Sequence, residues 1–240
     1  MKLQTAPLLS TTLMYMTTVL LVAICISHAK AETKEFTPTA DTFISQEKQG
    51  QPGDRSHRNY GAAHSLRADT QYSGEKSHVL LKFDLSDIPK DANITGAILV
   101  MGSPVKPTVG SLEVIEIRRL LRDDWVEGTQ GHETHVSHTA VSWLAVRYED
   151  EKPIAWSTPG ATGEKDSDAK NKIVIDTDPA MTLAKGAPVT SLVQTWSADR
   201  AVAFGVLIRT SNEKINYLGW ASKEMPDAEG PVLVVEWTTP

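Results

Sequence analysis

In residues 78–85, HVLLKFDL, apolar and polar positions alternate. Val79, Leu81, Phe83 and Leu85 fall on one side of an extended chain, His78, Leu80, Lys82 and Asp84 on the other. The pattern breaks at Ile88-Pro89, since proline cannot donate to a strand ladder, and resumes at Ile94, with Asp91-Ala92-Asn93 completing the turn. Similar short runs recur at 41–45, 94–102, 111–117, 171–177, 201–210 and 231–237, punctuated by Gly, Pro, Asn and Asp. Long amphipathic helical patterns do not occur. One short helix is predicted over APVTSLVQTWSAD (187–199), with Thr190 as its cap and Val189, Val193 and Trp196 on one face. The pattern predicts an all-β, antiparallel β-sandwich of jelly-roll type with one short helix and long loops. Its core should hold Val79, Leu81, Phe83, Leu85, Val206 and Ile208, with Trp196 and Trp237.

Two polar stretches interrupt the strands. Residues 46–76 form a loop around Asn59-Tyr60-Gly61, and residues 122–170 carry Trp125, Trp143 and Trp156 among Gly, His, Asp and Lys. Loops of this length are usually functional or disordered, and tryptophan argues against disorder.

The first 31 residues read as a secretory signal. Lys2 precedes the apolar run Leu13 to Ser27, and Ala29-Lys30-Ala31 fits a small-x-small cleavage site. The run is shorter than the ~20 residues a membrane span needs. The mature protein is expected to begin at Glu32, residues 32–240 forming one domain, secreted or at the cell surface. The only cysteine, Cys25, leaves with the signal, so the mature chain has no disulfide and no zinc–cysteine site. Loss of Lys2 and Lys30 leaves 22 basic against 30 acidic residues and takes the net charge from −6 to −8. That balance speaks against nucleic acid as a partner, which needs a concentrated basic surface.

The segments ADTFI, NYGAAHSLRAD, LLKFDLSDIPKDANITGAIL, DDWVEGT, VSW, WSTPGATGEKD, PVTSLVQTW and YLGWASKEMPDAEGPVLVVEW occur in that order from about Phe36 to Pro240. Each is short; in sequence they resemble the DNRLRE-domain proteins, which overlap with carbohydrate-binding module family 96. The resemblance implies an extracellular jelly-roll sandwich without a catalytic signature. It also implies affinity in some members for anionic polysaccharide such as alginate, often beside secreted enzymes. It carries no ligand residue onto this chain.

Candidate chemistry is spread over several clusters. His132, His135 and His138 invite a metal hypothesis, but spacing of three alternates faces on a strand and drifts by ~60° per step on a helix. HETHVSH also lacks the HExxH zincin spacing. Asp166-Ser167-Asp168 and Asp176-Thr177-Asp178 offer the hard oxygens that Ca2+ takes, although solvated turn residues are the favoured reading of both. For sugar, Lys82 and Arg209 lie opposite apolar strand faces. If they share an exposed sheet they begin a cationic groove for carboxylates, with Tyr60, Tyr217 and Trp220 beside it as stacking platforms. No G-x-S-x-G nucleophile elbow occurs. Asp123, Asp124 and Glu127 flank Trp125, and only three-dimensional structure decides whether two carboxylates meet for glycoside hydrolysis. The combined expectation is a secreted, non-catalytic domain binding an anionic, uronate-type polysaccharide. A structural or adhesive cell-surface protein contacting surface or matrix proteins, and a small polysaccharide lyase or hydrolase, are the alternatives.

Overall fold

Alternation in the HVLLKF segment is realised as a central strand. The computed structural model describes residues 30–46, 54–70, 75–105, 114–131, 139–200, 202–211 and 218–240. The signal segment through residue 29, the His132–His138 cluster and Tyr217 therefore lie outside the described residues. In chain order the strands are β1 (Lys30–Phe36), β2 (Ala40–Ser45), β3 (Ser65–Arg67), β4 (Asp69–Thr70), β5 (Lys76–Phe83), β6 (Asn93–Val100) and β7 (Ile115–Leu120). They continue as β8 (Ala145–Glu149), β9 (Lys152–Ala155), β10 (Ile173–Ile175), β11 (Ala187–Pro188), β12 (Phe204–Thr210), β13 (Gly219–Ala221) and β14 (Val232–Thr239). Helices α1 (Pro179–Lys185) and α2 (Thr190–Asp199) flank β11.

Two antiparallel sheets make the sandwich. One runs β1-β14-β6-β11; the other runs β10-β7-β12-β5-β2, with β4 also pairing β5. Val79, Leu81 and Phe83 of β5, Ile115 and Ile117 of β7, and Phe204, Val206 and Ile208 of β12 face inward. They meet Ala97 and Leu99 of β6 and Leu233, Val235 and Trp237 of β14. The expected core residues are all buried, Leu85 included, and Lys82 points away from Phe83, so the strand register is as the alternation predicts.

The outer face of the six-stranded sheet departs from expectation. Ala40, Ile44, Leu80, Leu120 and Leu207 on that face are not exposed. They pack under Trp125, Trp143 and Trp156 to form a second apolar cluster. The 122–170 stretch is thus a cover for one half of this sheet, which alternation along single strands does not reveal. Asn59 fastens it. Its side-chain amide donates to the Glu127 and Val141 carbonyls, and its Oδ1 accepts from Gly61 and Gln130. At Gly61 a Cβ would overlap the Glu127 and Gly128 carbonyl oxygens, well inside 3.0 Å, so only glycine admits this approach.

The helices also differ in detail. Among the described residues there are two rather than one, α1 beginning at Pro179, a residue suited to a first turn. Thr190 does not cap α2. Val189 holds the cap position without a side-chain bond, while Thr190 Oγ1 accepts from the Ala97 amide at 2.9 Å and docks the helix on β6. Leu192, Val193 and Trp196 supply its buried face. β1 includes Lys30 and Ala31, so cleavage after Ala31 would leave Glu32–Phe36 paired with β14. Among the described residues no helix is long and apolar enough to cross a membrane.

Candidate functional site

The residues expected to contact sugar are separated by the cover. Lys82 Nζ lies 4.5 Å from the centre of the Trp125 ring and donates to the Asp123 and Trp125 carbonyls at 2.6 and 2.9 Å. Burial holds its pKa below the ordinary lysine value, Asp123 and Glu127 opposing that shift. The ammonium pins the cover. The premise of an open sheet beneath Lys82 does not hold, because the tryptophan loop lies over it. Trp220, on β13, has no accessible surface, and Tyr60 is buried with its ring stacked 4.1 Å from Phe43. All six tryptophans are buried, so none presents a free ring face to a sugar.

Arg209 stands apart from Lys82 on the same sheet face. Lys82 pairs with Gly205, and Arg209 lies four residues further along β12, about 13 Å at strand rise. There the sheet carries charge. Arg209 pairs with Glu116 and Leu207 with Arg118, so alternation on β7 sends Glu116 and Arg118 outward while Ile115 and Ile117 enter the core. Arg118 donates through Nε (3.0 Å) and Nη2 to Glu116 Oε2. Lys172 Nζ donates to Glu116 Oε1 at 2.5 Å, and Arg209 Nη1 lies 4.0 Å from Oε2. Against the cost of burial, Lys172 and Arg118 hold the Glu116 carboxyl below its ordinary pKa. Burial and then the neighbouring Arg118 lower the Arg209 pKa as well, weakening its hold on a proton. Lys76 adds a further positive charge beside His78 on β5. Three cations thus gather around one carboxylate, and Lys172, Arg209 and, beside His78, Lys76 keep part of their surface in solvent. The sequence singled out Arg209 alone, since the partners come from strands whose pairing no single-strand pattern discloses.

A second charged cluster lies at the β2 edge, where Asp41, Glu127 and Glu224 place ligand-type oxygens within 4.8 Å of one another. Each comes from a different segment: β2, the cover and the β13–β14 connection. The Asp41 amide donates to Glu127 Oε1 at 2.6 Å, and the Lys223 amide donates to Asp41 Oδ2 at 2.8 Å. Lys223 Nζ donates to Glu127 Oε1 at 2.6 Å and to Glu224. Burial first, then Glu224, pushes the Asp41 carboxyl up to about 8, and burial raises Glu127 as well. Asp41 has no accessible surface, which keeps it from any polymer substrate. The sequence offered a weak signal here, an aspartate inside the otherwise apolar-patterned ADTFI strand.

The other carboxylates are engaged locally. Asp166 is buried and takes four donors, from Ser157 Oγ and the amides of Ser157, Thr158 and Gly163. Asp168 closes a turn over Lys170 and Asn171, and Asp176 accepts from Thr177. Asp178 sits at the start of α1 without a side-chain cap. Neither aspartate pair therefore converges on a common point as calcium ligands do. Asp124 forks with Arg122 and pairs with Arg147, while Asp123 accepts from the Ala203 amide.

Residues 32–146 match carbohydrate-binding module family 96. No curated protein matches the chain. Strands β12 and β14, central to the two sheets, come from beyond the matched segment and complete the same sandwich. Over residues 32–146 the protein is thus similar to carbohydrate-binding module family 96, and that segment is carried on two packed antiparallel sheets that form a β-sandwich.

Proposed function

We propose that this is an exported, non-catalytic domain that binds an anionic, uronate-type polysaccharide on the outer face of the six-stranded sheet. Lys76, Lys172 and Arg209 form its contact surface, with Arg118 buried behind them. The observation that carries the reading is the charge imbalance there, three cations around Glu116 with Lys76 acting on the neighbouring His78, on a chain whose overall charge is negative. Guanidinium groups match carboxylates in a two-pronged fork, and a sugar carboxylate entering beside Arg209 relieves its repulsion with Arg118. Recognition relies on charge more than on ring stacking, because the tryptophans are committed to packing. The non-catalytic reading is supported by the carboxylates: among the described residues, the three that meet closely surround the inaccessible Asp41.

The test compares a polyuronate with a neutral glucan by titration calorimetry at low and physiological salt. The polyuronate should bind more tightly, and its affinity should fall as salt rises, exposed charge pairs being worth ~0.2–1 kcal/mol each and screened over about 8 Å at physiological salt. Arg209→Ala combined with Lys172→Ala should remove the preference while leaving the melting temperature within a few degrees. Salt-independent preference for the neutral polymer overturns the uronate reading. Saturable binding to a surface protein, with none to any polysaccharide, replaces it with the adhesive one.

A further inference from the structure

We propose that Asp41, Glu127 and Glu224 form a binding site for a hard divalent cation, calcium in preference to magnesium, that ties β2, the tryptophan cover and the β13–β14 connection together. The spacing is the first argument. Oxygens bound to one Ca2+ at ~2.3–2.6 Å lie no more than about 5 Å apart, whereas a Mg2+ shell at ~2.0–2.1 Å spans only about 4 Å. Three carboxylates with ligand atoms inside 4.8 Å fall within the calcium span.

One carboxylate oxygen in the cluster also lacks a donor. Asp41 is fully buried, and its Oδ1 accepts no hydrogen bond; the nearest charge, Lys223 Nζ, stands 3.9 Å away. Glu224 Oε2 in the same cluster is likewise shut off from solvent and without a donor. Buried carboxylate oxygens are costly unless paired or bound to a metal. Lys223 does not balance the site, since its one positive charge faces three carboxylates and its bonds go to Glu127 and Glu224. Its side chain is partly exposed, so the ammonium can swing outward as an ion enters. Such a cross-link joins segments 86 and 182 residues apart in a mature chain without disulfides.

Purified protein is stripped with chelator, dialysed, and titrated with CaCl2 by calorimetry and thermal melting. One saturable equivalent and a rise of several degrees in melting temperature are expected, with Mg2+ weaker by tenfold or more. Asp41→Asn and Glu224→Gln should each weaken calcium binding at least tenfold. Asp41→Asn, close in shape to the protonated acid, should melt in chelator no lower than the parent, which separates loss of a ligand from loss of fold. Lys223→Ala should bind calcium at least as tightly, having lost the competing ammonium. Absence of both heat and melting shift up to about 10 mM calcium, above the ~1 mM of weak extracellular modules, overturns the proposal. Calcium binding unchanged in Asp41→Asn, or lost in Lys223→Ala, overturns it too.

Discussion

His78 shows how one outward position on β5 acquires a structural task. Its Nδ1 lies 2.8 Å from the Gly160 carbonyl oxygen, and its ring is 4.7 Å from Trp143 beneath the cover. Burial first, with Arg209, Lys76 and Arg118 adding to it, lowers its pKa from 6.5 to about 3. The unfolded chain then binds a proton that the native state refuses. The stability contributed by neutral His78 is present above pH 6.5 and is lost as pH falls from 6.5 towards 3. Asp41, raised to about 8, acts oppositely, favouring the native state at low pH and losing that contribution between about 4 and 8. Denaturant unfolding at several pH values should therefore show a shallower acid loss in His78→Gln than in the parent; equal slopes would remove His78 from the account. Lys82 is the companion case. Its two carbonyl bonds and its place over Trp125 make Lys82→Ala a stability variant, expected to cost about 1.5–3 kcal/mol in chemical unfolding. The sequence placed Lys82 on the correct face but left open what covers it.

At the level of elements, the alternating strands were legible and the cover was not. Val79, Leu81 and Phe83 announce their face through side-chain type, and β2, β5, β6, β12 and β14 follow such patterns closely. Trp125, Trp143 and Trp156 belong to no periodic run; their common destination depends on Asn59 and Gly61, more than sixty residues earlier. The short strands β8 and β9 and helix α1 escaped for the same reason, being set by packing more than by pattern. Gly61→Ala should be among the most damaging single changes, since its methyl meets backbone oxygens that cannot rotate away. A loss of about 2 kcal/mol or more is expected, with a red shift in tryptophan emission as the cover lifts. Asn59→Ala should give the same shift, because the amide leaves the Glu127 and Val141 carbonyls without their donor.

For the molecule as a whole, both charged clusters arise where segments remote in sequence meet, which is why Arg209 was visible and Arg118, Lys172, Asp41 and Glu224 were not. The same remoteness governs how the sandwich closes. β14 pairs with β1 on one side and β6 on the other, over registers from Lys30↔Thr239 to Val232↔Val100. An isolated 32–146 fragment, lacking β12 and β14, should show no cooperative melting transition. Time gives this pairing another meaning. At ~5–20 residues per second, the interval between completing β6 and supplying β14 during synthesis is on the order of ten seconds. Throughout it, the nascent chain holds β6 with its apolar face and an unpaired edge, an invitation to adhere to neighbouring chains. The last strand is a clasp fastened only at the end, and the chain is most vulnerable just before it arrives.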